Sequence, residues 1–261
     1  MSNVDVCVLK TDGINCDEEM RNAFSVVGAD ARIVNINELL EGSQSLDPFD
    51  VLAVPGGFSH GDDIASGKIF ANALTSHFGD QLQAHLERAK PVIGICNGDQ
   101  VLMQSGLLPN ATIDKQQASL AHNDIGRFEC RWIDMAVGKT VCKFVSPEDF
   151  AEQPIAMQTA HGEGRFVAPD EVIRQLETNG QIVFRYVNRD GSPANMQHPA
   201  NPSGSTNDIA GVCDPTGTIL GLMPHPERSV AAFHPDRDRT KAAKAAALAI
   251  FSNITAYAKS L

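Results

Sequence analysis

The sequence has few aromatic residues, no long apolar run and no leader-like start. Aromatic side chains make up 6% of the 261 residues, with one tryptophan and two tyrosines. No apolar stretch approaches the roughly 18 residues that a membrane-spanning helix needs. The first residues lack the basic start and the cleavage pattern of a signal peptide. We therefore expect a soluble, cytoplasmic protein.

Positive charge is also scarce. The chain carries 21 Lys and Arg residues against 32 Asp and Glu residues, which gives a formal net charge of −11. A nucleic-acid-binding protein needs a basic face that replaces the counterions of the phosphates. The charge balance therefore argues against nucleic acid as a partner, and it leaves small polar substrates and protein partners open.

Cysteine pairs with metal-binding spacing are missing. None of the six cysteines forms a C-x-x-C pair, so zinc and thioredoxin-type chemistry are not expected, and we predict no metal site in this chain. Cys7, Cys130 and Cys142 lie in apolar or alternating segments, where cysteine is most often a small core residue. The six cysteines are Cys7, Cys16, Cys96, Cys130, Cys142 and Cys213.

The first hundred residues alternate between strand-like and helix-like segments, which predicts parallel strands joined by helical crossovers. The second half reads as paired strands, a last strand, and an amphipathic helix over 236–261. We predict an α/β protein with an open, mostly parallel, doubly wound, flavodoxin-like sheet and an added antiparallel portion. No repeat or linker interrupts the chain, so we expect one domain over residues 1–261. The expected strands are 4–9, 31–36, 51–55, 91–95, 128–137, 140–145, 181–187 and 218–222.

Cys96 lies at a predicted strand-to-helix turn, in the sequence Gly94-Ile95-Cys96-Asn97-Gly98. This matches the pattern of a nucleophile elbow, with cysteine in place of serine. The turn strains the nucleophile and leaves no room for side chains at its flanks, so glycines stand there. The helix N-terminus that follows favours a thiolate. A chance G-x-C-x-G in a strand-turn-helix unit is the alternative.

A cysteine nucleophile needs a base, and the base needs a group that orients it. His225 in "MPHPER" follows the apolar segment "TILGL", and Glu227 stands two residues later across a stiff proline. This spacing lets the carboxylate reach the imidazole, although two unconnected loop residues would give the same pattern. His77 and His85 lie on a helix-like segment and are expected to be solvated. His161, in "AHGEGRF", is a weaker candidate for the base, because His225 already has a carboxylate partner.

Together, "GICNGDQ" and "GLMPHPER" resemble the class I, or triad-type, glutamine amidotransferases. The segments "NCDEE", "PGGFSHGDD", "FECRWI", "AHGEGRF" and "VFRYVN" follow in the family's order. They narrow the resemblance to the glutaminase subunits of phosphoribosylformylglycinamidine synthase in purine biosynthesis.

The resemblance implies a role for each matching residue. Cys96 would be the nucleophile, His225 the base and Glu227 the group that orients it. The remaining positions would bind glutamine or its oxyanion: Gly57, Asn97, Gln100, Asn123 and Phe128. Two positions depart from the family's usual pattern, because Asp99 and His60 stand where aromatic residues are common. Both could alter the substrate pocket or the contact with a partner.

The sequence contains no Walker-type loop, kinase-like motif or Rossmann glycine fingerprint. We therefore expect no cofactor in this chain. The resemblance implies that a large synthetase subunit binds ATP and Mg²⁺ and uses the released ammonia to convert formylglycinamide ribonucleotide to formylglycinamidine ribonucleotide. A small third subunit often joins that complex.

Two alternatives remain at this point. The chain could be a binding or regulatory subunit with a silent site, against which the intact Cys–His–Glu set argues. It could also be a cysteine hydrolase of the same sheet architecture that acts on another substrate. Such hydrolases keep an elbow cysteine but need not carry His-Pro-Glu after the last strand.

Overall fold

The computed structural model describes residues 3–150, 154–231 and 234–261. Within these ranges the strands are β1 (Asp5–Lys10), β2 (Asp30–Asn35), β3 (Val51–Val54), β4 (Val92–Ile95), β5 (Ser119–Ala121), β6 (Glu129–Val137), β7 (Ile155–His161), β8 (Arg165–Val167), β9 (Ile182–Val187), β10 (Ile209–Cys213) and β11 (Ile219–Leu222). The α-helices are α1 (Asp17–Val26), α2 (Ile36–Leu40), α3 (Lys68–Glu87), α4 (Asn97–Gln104), α5 (Asp170–Asn179), α6 (Pro226–Ser229) and α7 (Arg237–Ser260).

The central sheet combines a parallel half and an antiparallel half. Its strand order is β2-β1-β3-β4-β11-β10-β9-β6-β7. The first five strands of that order pair in parallel, and every later pairing is antiparallel. Strands β5 and β8 form a separate two-stranded sheet. The predicted mostly parallel α/β sheet with an antiparallel addition is confirmed.

Helices cover both faces of the parallel half. Strands β3, β4 and β11 are buried along their whole length, which is why they appear as continuous apolar runs. The crossovers from β1 to β2 and from β3 to β4 run in opposite directions along the sheet, so right-handed connections place α1 and α3 on opposite faces. Helix α1 packs against α7 through Phe24 and Phe251, whose ring centroids are 5.0 Å apart.

The antiparallel half differs from the sequence-based expectation in three elements. Residues 140–145 do not form a strand, because their backbone meets the rest of the chain only at isolated points, where Val141 and Lys143 donate to Gly180 and Gly217. Cys142 and Phe144 are buried and the residues between and before them are exposed, which gives the alternating pattern that is typical of a strand. Strands β7 and β10, by contrast, were not anticipated.

Two side chains lie in environments opposite to those expected. His85 is buried, its Nε2 lies 3.3 Å from the carbonyl of Pro91, and burial lowers its pKa to about 4. Cys130 is exposed, because the inward positions of β6 are Glu129, Ile133 and Met135, one residue out of phase with it.

The last helix agrees with its prediction over 236–261 within one residue at each end. Asp236 caps it by accepting a hydrogen bond from the N–H of Asp238. None of the described helices is long and apolar enough to cross a membrane.

Candidate active site

Cys96 occupies the sharp turn between β4 and α4. Its backbone angles are φ 54° and ψ −108°, a combination that L-residues rarely adopt and that is held only when the surroundings impose it. The turn is tight because α4 runs close over β3, and a Cβ on Gly98 would overlap the carbonyl oxygen of Val54. The Cys96 sulfur is almost fully buried and lies 3.5 Å from the carbonyl oxygen of Ala160.

His225 and Glu227 form a buried pair directly after β11. The Nδ1 atom of His225 lies 2.5 Å from Oε1 of Glu227, and both side chains are almost fully buried. Pro226 between them is the first residue of α6, where its fixed φ starts the helix. A backbone hydrogen bond of 2.7 Å from the His225 N–H to the carbonyl of Gln158 holds the turn against β7.

The sheet brings this pair next to Cys96. Strands β4 and β11 are parallel neighbours in which Ile95 pairs with Leu222, so their carboxyl ends lie side by side, where active sites of open α/β sheets form. A Cβ built on Gly56 would lie 2.8 Å from Cε1 of His225 and 3.3 Å from Cβ of Cys96. Cys96 and His225 are therefore neighbours.

The electrostatics of the pair favour the imidazolium. Burial works to lower the pKa of His225. The charge of Glu227, followed by the charge of Cys96, outweighs burial and raises that pKa well above its usual value. A thiolate on Cys96 and an imidazolium on His225 thus stabilise each other, as a nucleophile and a base that exchange a proton require.

A cavity of about 190 Å³ opens over the sulfur. Five of the residues singled out from the sequence line it, namely Cys96, Gly57, Gln100, Phe128 and His161. Phe128 is half exposed and its ring lies 6.2 Å from that of Phe58, so the two rings flank the mouth. The complete lining is Gly57, Phe58, Asp62, Ser66, Cys96, Gln100, His122, Phe128, Ala160, His161, Gly162 and Glu163.

Two backbone N–H groups close to Cys96 in the structure are those of Gly57, which lines the cavity, and Asn97, which follows the cysteine and lies outside the lining. Gly57 has φ 152°, and a Cβ there would lie 2.7 Å from the carbonyl oxygen of Gly13, so only glycine fits. No acceptor for the Gly57 N–H occurs in the part of the chain that the structure describes. Asn97 is the first residue of α4, and its N–H has no partner within the helix.

The side chains of Asn97 and Gln100 hold the elbow and the neighbouring loops together through hydrogen bonds. The Oδ1 atom of Asn97 accepts from the N–H of Ser59 at 3.2 Å. Its Nδ2 donates to Asp62 Oδ1 at 3.1 Å and to Gln100 Oε1 at 2.9 Å. Gln100 in turn donates to the carbonyl of Glu163 at 2.6 Å. The elbow is thereby joined to the two loops that line the cavity.

Asn123, expected near the substrate, is buried and is not among the residues that line the cavity. Its Nδ2 donates to the carbonyls of Arg127 and His161 at 3.0 and 2.8 Å, and its Oδ1 accepts from the N–H of Gly164 at 3.1 Å. The hydrogen-bonding groups of Asn123 are thus engaged inside the protein. The geometry favours support of the site rather than direct contact with a substrate.

Asn123 also determines the tautomer of His161. The same Oδ1 lies 3.0 Å from Nδ1 of His161, and an oxygen that only accepts requires Nδ1 to carry the proton. The Nε2 of His161 is then a bare acceptor, buried without a partner among the described residues. Burial lowers the pKa of His161 to about 4, and the charge of His225 adds to this effect, so the ring is neutral near pH 7.

Sequence reasoning missed two carboxylates that line the cavity, Asp62 and Glu163. Both belong to motifs noted in the sequence, "PGGFSHGDD" and "AHGEGRF", and neither carboxylate has a spacing pattern that indicates a role. Burial raises the pKa of Asp62, with a further contribution from the charge of Glu163. The Oε1 atom of Glu163 lies 3.6 Å from Nδ1 of His122, at the exposed side of the cavity.

The two departures from the family pattern lie away from the catalytic groups. Asp99 is buried beneath α4, outside the cavity lining. His60 contacts Thr11, with 3.0 Å between Nε2 and Oγ1.

Cys16 is a further neighbour of His225 that sequence reasoning had not assigned. One ligand-type atom from each of Cys16, His225 and Glu227 lies within 4.8 Å of the others, a spacing that a metal ion could bridge. His225 Nδ1 and Glu227 Oε1 are, however, already engaged with each other at 2.5 Å. The arrangement is therefore better suited to proton transfer than to metal binding.

A strained elbow cysteine beside a buried His–Glu pair, with the Gly57 N–H in the lining of the same cavity, defines an α/β protein equipped for acyl transfer through a thioester. The profile of the family described as "CobB/CobQ-like glutamine amidotransferase domain" matches residues 3–258. A phosphoribosylformylglycinamidine synthase subunit PurQ from Methanococcus maripaludis is 42% identical over 227 residues, covering 86% of this chain and 82% of the relative. The PurQ subunit of Dehalococcoides mccartyi is 42% identical over 231 residues, 88% of this chain and 87% of that one.

Among solved structures, PurLQS from Thermotoga maritima contains a chain with a TM-score of 0.72 and 29% identity, covering 98% of this chain and 99% of that chain. A glutamine amidotransferase from the same organism, at 15% identity and a TM-score of 0.53, shares the fold. The present chain belongs to the glutamine amidotransferase family and, within it, to the group of PurQ subunits.

Proposed function

We propose that this chain hydrolyses glutamine to glutamate and ammonia and delivers the ammonia to phosphoribosylformylglycinamidine synthase. The observation that carries the proposal is the strained backbone of Cys96, at φ 54°, beside the buried His225–Glu227 pair. Such strain persists where it serves a function. The similarity to PurQ subunits over more than four-fifths of the chain supports the acceptor reaction in purine biosynthesis.

In the proposed first step, the Cys96 thiolate attacks the side-chain amide carbon of glutamine. A C–S bond forms, and the carbonyl oxygen takes up the negative charge. The N–H groups of Gly57 and Asn97 stabilise this oxyanion. Each such donor is worth roughly 10²–10³ in rate.

In the second step, His225 transfers its proton to the amide nitrogen as the C–N bond breaks and ammonia leaves. The neutral His225 then removes a proton from water, which attacks the thioester and releases glutamate. Glu227 holds the imidazole through Nδ1, so that Nε2 is the atom that moves the proton, and it stabilises the imidazolium.

Glutamine binding involves the remaining lining residues. We assign Phe128 and Gln100 to the walls of the pocket, and Asn123 to the support of His161 and Gly164. The Glu163 carboxylate borders the cavity, with its side chain 23% exposed. We assign it to the α-ammonium group of glutamine, because a partly desolvated carboxylate is a suitable partner for a cation.

We propose that the acceptor half-reaction takes place on partner chains. Ammonia is largely protonated at neutral pH and cannot attack in that form, so it has to reach its acceptor shielded from water. A large synthetase subunit would hold ATP, Mg²⁺ and formylglycinamide ribonucleotide, and a small third subunit would complete the complex. The present chain then needs no cofactor of its own.

We also place the reaction in the cytoplasm. All six cysteines are free thiols, and free thiols are usual in a reducing compartment.

The test uses the complex assembled with its synthetase subunit. Cys96→Ala should abolish glutamine-dependent synthesis while synthesis from added ammonium salt continues at the wild-type rate, because only the glutaminase step needs the sulfur. Cys130→Ala, a change at an exposed cysteine, is the matched control and should retain both activities. Loss of both activities in Cys96→Ala, with assembly intact, would contradict the division of labour. Full glutamine-dependent activity in the same variant would exclude Cys96 as the nucleophile.

A further inference from the structure

A second cysteine borders the catalytic histidine. Cys16 immediately precedes α1 and has no exposed surface. We propose that Cys16, held in place by Arg228, is a positioning residue that keeps the His225 imidazole against Cys96 and stabilises its protonated form. This inference rests on the proposed role of His225 as the catalytic base.

The backbone fixes the Cys16 sulfur beside the imidazole. The N–H of Cys16 donates to the carbonyl of Gly56 at 3.1 Å, which ties the start of α1 to the end of the third strand. A Cβ on Gly56 would lie 3.3 Å from the Cys16 sulfur and 2.8 Å from Cε1 of His225. Gly56 therefore lets the sulfur and the ring approach each other with no side chain between them.

Arg228 fixes the sulfur from the other side. Its Nη2 donates to Sγ of Cys16 at 3.0 Å, across 212 residues of sequence. Burial works to lower the pKa of Arg228, but the charge of Cys16, followed by that of Glu227, raises it. A guanidinium at this depth needs a partner with negative charge or a lone pair, and the cysteine sulfur provides it. A cysteine that only filled the core would not need a cation.

The groups around His225 carry charges of both signs, and each of them affects how readily the imidazole is protonated. The contact with the Cys16 sulfur favours the imidazolium and opposes the effect of burial on His225. Removing it shifts the balance toward neutral imidazole and, through the proton that Cys96 and His225 share, away from the Cys96 thiolate. The groups that face His225 are Cys96 before α4, Cys16 before α1, Glu227 and Arg228 of α6, and His161 of β7.

The experiment measures the ionisation of Cys96 without using glutamine. Wild type, Cys16→Ala and Cys16→Ser are alkylated with iodoacetamide between pH 5 and 9, and modification of the Cys96 peptide is followed by mass spectrometry. We expect the pH midpoint of alkylation to rise by about one unit in Cys16→Ala. Cys16→Ser, which retains a hydrogen-bonding atom, should lie between the two.

The same variants are then assayed as glutaminases. We expect kcat to fall about tenfold in Cys16→Ala with KM almost unchanged, because the sulfur acts through His225 rather than through the substrate. Arg228→Gln should behave similarly, and Arg228→Lys should recover part of the loss. Cys7→Ala, at an equally buried cysteine in β1, controls for the removal of a core sulfur.

The outcomes separate this inference from the proposed function. An unchanged alkylation midpoint in both Cys16 variants would refute the positioning role, as would an equal shift in Cys7→Ala. If the alkylation midpoint shifts between wild type and the Cys16 variants but wild type does not hydrolyse glutamine, the positioning role would stand and the proposed function would fail.

Discussion

Asp99 should make the stability of this protein fall as the pH rises. Its side chain is buried beneath α4, and its Oδ1 has no hydrogen-bond partner among the described residues. A Cβ on Gly221 would overlap that oxygen, so the carboxyl group lies directly against β11. The surrounding side chains include Met103, Phe166 and Met223, none of which can compensate for a charge. Burial therefore raises the pKa of Asp99 well above 3.8.

The raised pKa of Asp99 determines the sign and the size of the pH dependence of the free energy of unfolding. The unfolded chain ionises Asp99 near its ordinary pKa, whereas the folded protein holds it protonated. The contribution of Asp99 to the free energy of unfolding is thus fully present below the unfolded pKa. It is lost as the pH rises toward the folded pKa, at about 1.4 kcal/mol per pH unit between the two values. Asn cannot ionise and has almost the same shape, so Asp99→Asn should remove the dependence.

Urea unfolding of the isolated chain at pH 5, 6, 7 and 8 measures the effect. The difference in free energy of unfolding between Asp99→Asn and wild type should grow in favour of the variant by about 1.4 kcal/mol per pH unit until the folded pKa is reached. Asp80→Asn, at an exposed acid on α3, provides the control, and its difference from wild type should stay constant. A constant difference for Asp99→Asn would refute the reasoning, because it would mean that Asp99 is ionised in the folded protein.

Two further predictions concern the catalytic groups and the substrate. His225→Ala should lower the kcat of glutamine hydrolysis by about 10⁶ and Glu227→Gln by about 10⁴, in line with a hydrolase triad in which the base matters more than the group that orients it. Steady-state assays that found equal or reversed losses would show that the roles are misassigned. Glu163→Gln should raise the KM for glutamine about tenfold with little change in kcat, since the carboxylate is assigned to a part of the substrate that does not react. A KM equal to that of Glu171→Gln, an exposed control on α5, would rule out that assignment.

The parallel half of the sheet could be predicted because most of its strands are buried on both faces. Such strands stand out as short apolar runs, and the pattern predicts all five strands of this half. The antiparallel half was harder to predict. Strand β7 has the sequence IAMQTAH and is buried at three successive residues, Ile155 to Met157, so it does not alternate cleanly. Strand β10 is short and contains Gly211, and its pairing with β9 shifts register there, so its sequence carries no clean alternation.

The proximity of Cys96, His225 and Glu227 was the part of the candidate site that was easiest to predict, because each half of this set is local in sequence. Cys96 stands between two glycines, and only Pro226 separates His225 from Glu227 along the chain. The contacts that support these groups connect distant segments. Cys16 and Arg228 are 212 residues apart, and Asn123 and His161 are 38 residues apart. Only the fold shows that such residues meet, so neither Cys16 nor the tautomer of His161 could be derived from spacing.

The loop after β3 illustrates how the fold revises an interpretation based on composition. Its glycines suggest a flexible segment, yet the Asn97 side chain anchors it at two points, because it accepts from the Ser59 N–H and donates to Asp62. Asp62 itself has φ 55°, a strained value that tertiary contacts have to maintain. Because the same asparagine follows the nucleophile, the loop that carries the Gly57 N–H and the elbow that carries the sulfur are parts of one hydrogen-bonded unit. A partner that shifts this loop would therefore move the oxyanion donor and the nucleophile together.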